Sequence, residues 1–125
     1  MSAKGFSKVV LGALRTSKIL RIRAGSGPHR VIGIWMVMVE SRVFVRSWTV
    51  EKNGWFDTFL KEKRGIIEIG KRRIRVRGIH TKSDRLKNAV TEAYAEKYHT
   101  PGAKVYVEGF RSRKRKDATM ELVPA

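Results

Sequence analysis

The sequence predicts a mainly β fold with helices, an antiparallel barrel of about six strands carrying two or three helices. Three observations lead there. Short segments of alternating or wholly apolar character recur along the chain, joined by tight turn signals. Strand–helix–strand alternation, which marks a doubly wound sheet, is missing over most of the sequence. Closure into a barrel also removes the exposed edges that an open antiparallel sheet of this size would present. At 125 residues the chain suits a single domain spanning 1–125, and its 42% hydrophobic content is enough to offset the entropy of folding.

Each element follows from its own pattern. Residues 5–15 place Phe6, Val9, Val10, Ala13 and Leu14 at helical spacing, which predicts a short amphipathic helix interrupted at Gly12. From Lys18 the pattern becomes alternation, with Leu20 and Ile22 facing one way and Ile19, Arg21 and Arg23 the other, until residues 24–28 break the strand. Residues 31–39 are apolar on both faces, so this strand is covered twice, by the barrel interior and by a helix, a ligand or a partner subunit. A homodimer is expected on that ground. Residues 42–48 alternate again, with Arg42, Phe44, Arg46 and Trp48 on one face, and complete a hairpin across Glu40 and Ser41. Asn53 is placed to cap a short helix whose stripe is Trp55, Phe56, Phe59 and Leu60. A second hairpin turns at residues 70–72, with Ile74 and Val76 inward and Arg73, Arg75 and Arg77 outward. Ser83 caps the clearest helix, in which Leu86, Ala89, Val90, Ala93 and Tyr94 share a face, and Pro101-Gly102 is expected to end it. Residues 111–116 are a basic run that reads as a mobile exposed loop, and residues 118–123 form a closing strand.

Charge is the most pronounced bulk property: 28 Lys and Arg against 11 Asp and Glu give a formal net charge of +17. A field of that sign attracts phosphates, nucleic acid or anionic lipid without saying which is meant. The absence of cysteine excludes disulfides and thiolate metal ligation. His29, His80 and His99 share no ligand spacing, so no metal site is expected. The longest apolar run, residues 31–39, is too short for a membrane helix, which takes about 20 residues. A cytoplasmic protein without membrane association is therefore expected. No Ser-His-Asp or paired-carboxylate pattern stands out, so enzymatic activity would have to come from a cofactor.

Taken in order, the segments 33–39, 43–48, 54–56 at the head of a helix, 93–98 with its Tyr94-x-x-Lys97-Tyr98 pattern, and 118–124 resemble a known group. The sequence is similar to the uncharacterised bacterial family called domain of unknown function 2255, within the FMN-binding split-barrel superfamily of pyridoxamine-phosphate-oxidase-like and deazaflavin-dependent-nitroreductase-like proteins. The likeness runs from about Leu14 onward. It implies a split β-barrel, typically a homodimer, holding FMN or a deazaflavin coenzyme along the subunit interface, and an oxidoreductase activity. By this resemblance Arg46, Ser47 and Lys52 match the positions that hold the cofactor phosphate, while Trp35 lies where the ring system stacks. Trp55 joins Trp35 as a cofactor-binding candidate, with core or interface packing as the alternative for both. A guanidinium, a hydroxyl and a helix N-terminus near Gly54 suit a phosphate-containing small molecule. The segment departs from the deazaflavin pattern in lacking a run of small and basic residues and in carrying Glu51. Two other functions compete. One is a nucleic-acid-binding module using the Arg73, Arg75 and Arg77 row and residues 111–116, with Phe44 and Trp48 stacking on bases. The other is a structural dimer with an empty pocket.

Overall fold

The computed structural model describes residues 5–27, 30–49 and 54–125. In chain order these form α1 (Lys8–Thr16), β1 (Ile19–Ala24), β2 (Ile32–Val39), β3 (Arg42–Arg46), α2 (Trp55–Glu62), β4 (Arg64–Ile69), β5 (Arg72–His80), α3 (Asp84–Lys97), α4 (Pro101–Gly109), α5 (Arg113–Lys116) and β6 (Thr119–Pro124). The six strands pair antiparallel and close into a barrel in the order β1-β2-β3-β6-β5-β4. The mainly β fold expected from the sequence is the one observed. No helix among the described residues is long and apolar enough to cross a membrane.

Among the described residues five helices are present where two or three were expected, and local capping explains the excess. Pro101-Gly102 does not end α3, which stops at Lys97. The Thr100 hydroxyl instead accepts from the Ala103 N–H, and Pro101 opens α4, where its missing N–H costs nothing. Ser112 caps the basic run in the same way, accepting from Arg115 N–H, so residues 113–116 are a helical turn rather than a loop, with residues 111–114 exposed as expected. Gly12 sits inside α1 without breaking it, because Ser7 caps that helix and its apolar face is buried. Gly54 occupies the N-cap position of α2, while Asn53, the cap expected from the sequence, lies outside the described residues.

The barrel interior is filled by Leu20, Ile22, Met36, Val43, Val45, Ile67, Val76, Met120 and Leu122. Residues of α1 and α2 join the same core. Val10 and Leu14 enter from α1, which leads into the start of β1, and Phe56 and Phe59 enter from α2 beside its far end. Phe59 lies so close to β4 and β5 that a Cβ on Gly65 or Gly78 would come within 2.5 and 2.6 Å of its ring. Those two glycines are what let the ring seat between the strands. The β2–β3 turn runs through Glu40 and Ser41, both at positive φ (55° and 60°), the geometry that matches the twist of a two-residue hairpin.

A second apolar layer lies outside the barrel. There α3, α4 and Phe110 cover β2 and β3, burying Val37 and Phe44 against Leu86, Val90, Tyr94, Tyr98, Ala103 and Val107. The second apolar face of β2 is thus covered within the chain, which removes the premise that a partner subunit had to cover it. The same helices bury the face of β3 that bears Phe44 and Arg46, so Phe44 is unable to stack on a base as the nucleic-acid reading required. The outer face of β1, β4 and β5 is different: Arg21, Arg64, Arg73, Arg75 and Arg77 all stand exposed there.

Candidate functional site

Where the helical layer meets the barrel, a cleft of about 360 Å³ opens between β1, β2, the end of β3, the N-terminus of α2 and the C-terminal half of α4. Its walls are largely aromatic, formed by Trp35, Trp48, Trp55, Tyr106 and Phe110, with Arg46, Ser47 and Thr49 on the polar side. Four of the five residues singled out from sequence therefore come together: Trp35, Arg46, Ser47 and Trp55. The fifth, Lys52, lies outside the described residues. The cleft is within the size range of small-ligand sites, which are typically apolar with a few convergent polar groups.

Trp35 is held by its neighbours. Its indole stacks on Tyr98 at 4.2 Å between centroids and 5° between planes, and meets Tyr106 and Phe110 edge-on at 6.1 and 6.3 Å. Tyr98 in turn is fixed by its hydroxyl, which donates to the Lys18 carbonyl at 2.6 Å and accepts from the Met36 N–H at 3.1 Å. Tyr94 donates to the Trp35 carbonyl at 3.1 Å. Burial pushes the Tyr98 phenol up to about 12 and the Tyr94 phenol higher still, so both remain donors. Trp35 therefore has one ring face already taken and meets the cleft with the remainder.

Arg46 is 2% exposed, and its guanidinium is tied into the protein on several sides. Nε donates to Thr119 Oγ1 at 2.8 Å, one terminal nitrogen donates to Thr91 Oγ1 at 2.7 Å and to the Phe110 carbonyl at 3.1 Å, and the other donates to the Lys87 carbonyl at 2.9 Å. The rings of Tyr94 and Phe110 lie 5.9 and 6.0 Å from its central carbon. Every acceptor is neutral. No carboxylate among the described residues pairs with this cation, and burial lowers its pKa to about 10. A guanidinium has five N–H donors, and four are committed here. Arg46 thus joins β3, β6, α3 and the end of α4 while leaving its charge uncompensated beside the cleft. Ser47 is likewise buried, with its N–H on the Ala118 carbonyl at 3.1 Å and its hydroxyl on the Thr49 carbonyl.

Trp48 and Tyr106 escaped the sequence reading as members of this site. Trp48 lies against α4, packed on Tyr106 and Phe110, with the Arg115 guanidinium 3.6 Å above its ring. Arg115 also donates to the Trp48 and Gly109 carbonyls at 2.8 and 3.3 Å. Gly109 makes this possible, since a Cβ there would sit 2.3 Å from the indole. The available signal was the Thr100-x-x-Ala103 cap with Pro101 at the helix start, which puts Tyr106 and Phe110 one turn apart on the same side. Among the described residues Tyr106 is the cleft's only phenol, and its lining holds neither carboxylate nor imidazole.

The family described as an uncharacterized protein conserved in bacteria (DUF2255) matches residues 11–122. The chain belongs to that family. The DUF2255 protein is also similar in fold to solved structures. One is a conserved hypothetical protein of Mycobacterium tuberculosis, at TM-score 0.60 and 10% identity, covering 98% of this chain and 82% of the other. A putative pyridoxamine 5'-phosphate oxidase of Listeria innocua aligns at TM-score 0.62 and 7% identity, covering 94% and 90%. A FAD-binding protein of Mesorhizobium loti aligns at TM-score 0.54 and 10% identity, covering 95% and 88%. At these identities the likeness is one of fold. A comparison with curated proteins finds no match for the DUF2255 sequence.

Proposed function

We propose that this DUF2255 protein binds a phosphorylated flavin or deazaflavin nucleotide in the cleft, and that the reaction it supports is redox chemistry belonging to that cofactor. The observation that carries this reading is an aromatic wall set beside a buried cation with no carboxylate partner among the described residues. A planar ring system gains apolar and edge contacts from Trp35, Trp48, Trp55 and Tyr106. A phosphate supplies the counter-charge that Arg46 lacks. Because four of its donors are already committed, Arg46 acts through its charge and one remaining N–H rather than as a two-pronged fork. The N-terminus of α2 at Gly54, the Thr49 segment and Lys52 are the candidate donors to the phosphate itself.

A flavin of this kind supplies hydride or single-electron transfer when bound. The chain's own part is to hold the ring against the tryptophans, to exclude water from one side and to set the local potential. The pyridoxamine-phosphate-oxidase-like and FAD-binding neighbours support the reading through fold, which is a weaker warrant than the site itself. Exposed Ile19 and Tyr106 at the cleft rim offer a second copy an apolar seat, so the cleft is proposed to work in a homodimer. Freshly purified protein is expected to carry a flavin or deazaflavin absorption band that survives desalting. Tyr106→Ser is expected to weaken retention without loss of fold, since that side chain is half exposed. Colourless protein that also fails to take up either cofactor class on reconstitution would overturn the proposal.

A further inference from the structure

We infer that the open outer face of β1, β4 and β5 is a docking surface for the phosphate backbone of a nucleic-acid duplex, separate from the cleft. The register assembles the face. Arg21 of β1 lies across from Glu68 of β4, which lies across from Arg73 of β5; Arg23, Ile66 and Arg75 form the next row; Arg64 stands directly opposite Arg77. Alternate residues along a strand are about 6.7 Å apart and neighbouring strands about 4.8 Å, so six guanidiniums occupy one sheet face within a few nanometres. Glu68 is the single carboxylate among these rows, paired with Arg21 at 2.9 Å and with Arg73 at 3.5 Å. Among the described residues no carboxylate pairs with Arg23, Arg64, Arg75 or Arg77.

Two further observations point to an external anion. Arg64 and Arg77 are a directly opposed like-charge pair, an arrangement that costs stability in a sheet and that the fold nonetheless keeps. Beside Arg64 a groove of about 500 Å³ is lined by Arg23, Arg64 and Arg75 with Gly25, Ser26, Gly65 and Ala125. On that groove the Nε of Arg23 is buried and has no hydrogen-bond partner among the described residues. A phosphate on the groove supplies the counter-charge that the Arg23 guanidinium lacks.

The other basic cluster is built differently. Arg111 pairs with Glu92 and Glu108, Lys87 with Asp84 and Asp117, and Arg115 is stacked on Trp48. Two of its cations, Arg111 and Lys87, are paired with acids, and Arg115 is engaged by a ring and by the Trp48 and Gly109 carbonyls. The choice of a duplex over a single strand follows from what the face lacks. None of its rows contains an aromatic ring, so bases have nothing to stack on, and stacking supplies much of the affinity for single strands. Guanidiniums alone read phosphates, without regard to sequence.

The test is fluorescence anisotropy with a labelled mixed-sequence DNA duplex across a salt series, on the whole protein. Wild type is expected to bind with a steep salt dependence. The triple variant Arg64→Ser, Arg75→Ser, Arg77→Ser is expected to lose at least about tenfold in affinity and to lower the slope of log K against log salt by about 3, one for each contact removed. Arg113→Ser with Lys114→Ser, on the other basic cluster, is expected to stay close to wild type. All these side chains are exposed, so both variants should keep the wild-type melting profile in the absence of ligand. Equal losses in the two variants would overturn the assignment in favour of general basicity. So would no duplex binding at low salt, or tighter binding to a single strand or to vesicles of anionic phospholipid than to duplex. None of these outcomes depends on whether the cleft holds a cofactor.

Discussion

Replacing Arg46 separates its two roles, because the side chain is at once a cation beside the cleft and a clamp between four elements. Arg46→Met keeps an unbranched stem out to the position of Nε and removes the charge and all five donors. Four bonds from a charged donor are lost, each contributing about 1.5–3 kcal/mol when made. Against this stands relief of the desolvation that lowers the Arg46 pKa from 12.5 to about 10, a shift on the order of 3 kcal/mol. Thr91 and Thr119 keep their own donations to the Lys87 and Lys116 carbonyls, so the Phe110 carbonyl is the group most fully stranded. The net loss should be about 3–5 kcal/mol, the usual cost of breaking a buried polar network from one side. For a domain of this size that lowers Tm by about 10–20 °C, read by thermal circular dichroism. Arg46→Lys should recover less than half of the loss, because three donors on one atom cannot reach acceptors on β6, α3 and the end of α4 together. A Met variant within about 1 kcal/mol of wild type would refute the clamp and leave Arg46 as a ligand-binding group only.

Three further outcomes follow from the same geometry. Gly109→Ala should displace the Trp48 indole, since its Cβ would fall 2.3 Å from the ring; a loss of about 1–3 kcal/mol and a shifted tryptophan emission are expected, and an unchanged spectrum would contradict the packing. Arg115→Ser should raise the mobility of Trp48 and cost more stability than Arg113→Ser, measured side by side in urea, because only Arg115 is stacked and bonded to the cleft wall. Alkaline pH should unfold the protein through its buried phenols. The folded pKa values of Tyr94 and Tyr98 are raised above the ordinary value of 10.0, so their contribution is complete below about pH 10 and is lost as pH rises toward and beyond 12. Their phenolate absorbance should appear together with the loss of circular dichroism, and phenolate formation well before unfolding would contradict their burial.

The barrel was legible because period-two alternation is strong in β1 and β5, and because the run at 31–39 is apolar on both faces of an extended chain. The second layer was legible only in part. Residues 31–39 announced a second cover, but a linear pattern does not say whether a helix, a ligand or another subunit provides it. Alternation in β3 put Arg42, Phe44, Arg46 and Trp48 on one face, and polarity alone made that face look exposed. The helices α3 and α4 bury it instead, turning Arg46 into an interior residue. In the sequence Pro101-Gly102 signals a helix stop, whereas Thr100 makes it a start, and without α4 nothing in the pattern brings Tyr106 and Phe110 to the candidate site. Residues 111–116 look like a solvated charge run, and 111–114 are exposed, but the Ser112 cap and the Trp48 ring that holds Arg115 are not visible in the charge pattern. The open arginine face needed no tertiary correction, since Arg73, Arg75 and Arg77 alternate outward from Ile74 and Val76 as the period demands.

Calorimetric titration of the cofactor-free protein with FMN, a deazaflavin coenzyme and riboflavin tests the cleft most directly. The ring systems of FMN and riboflavin are the same, so their difference isolates the phosphate. At least one phosphorylated ligand is expected to bind at one site per chain, and FMN at least about tenfold more tightly than riboflavin, which corresponds to about 1.4 kcal/mol for the added charge-assisted contact. The preference should persist at moderate salt, because Arg46 is buried and weakly screened, and should be the same in the Arg64→Ser, Arg75→Ser, Arg77→Ser variant. Equal affinity for FMN and riboflavin, or no heat from any of the three ligands, would contradict a phosphorylated flavin held between the tryptophan wall and the buried arginine.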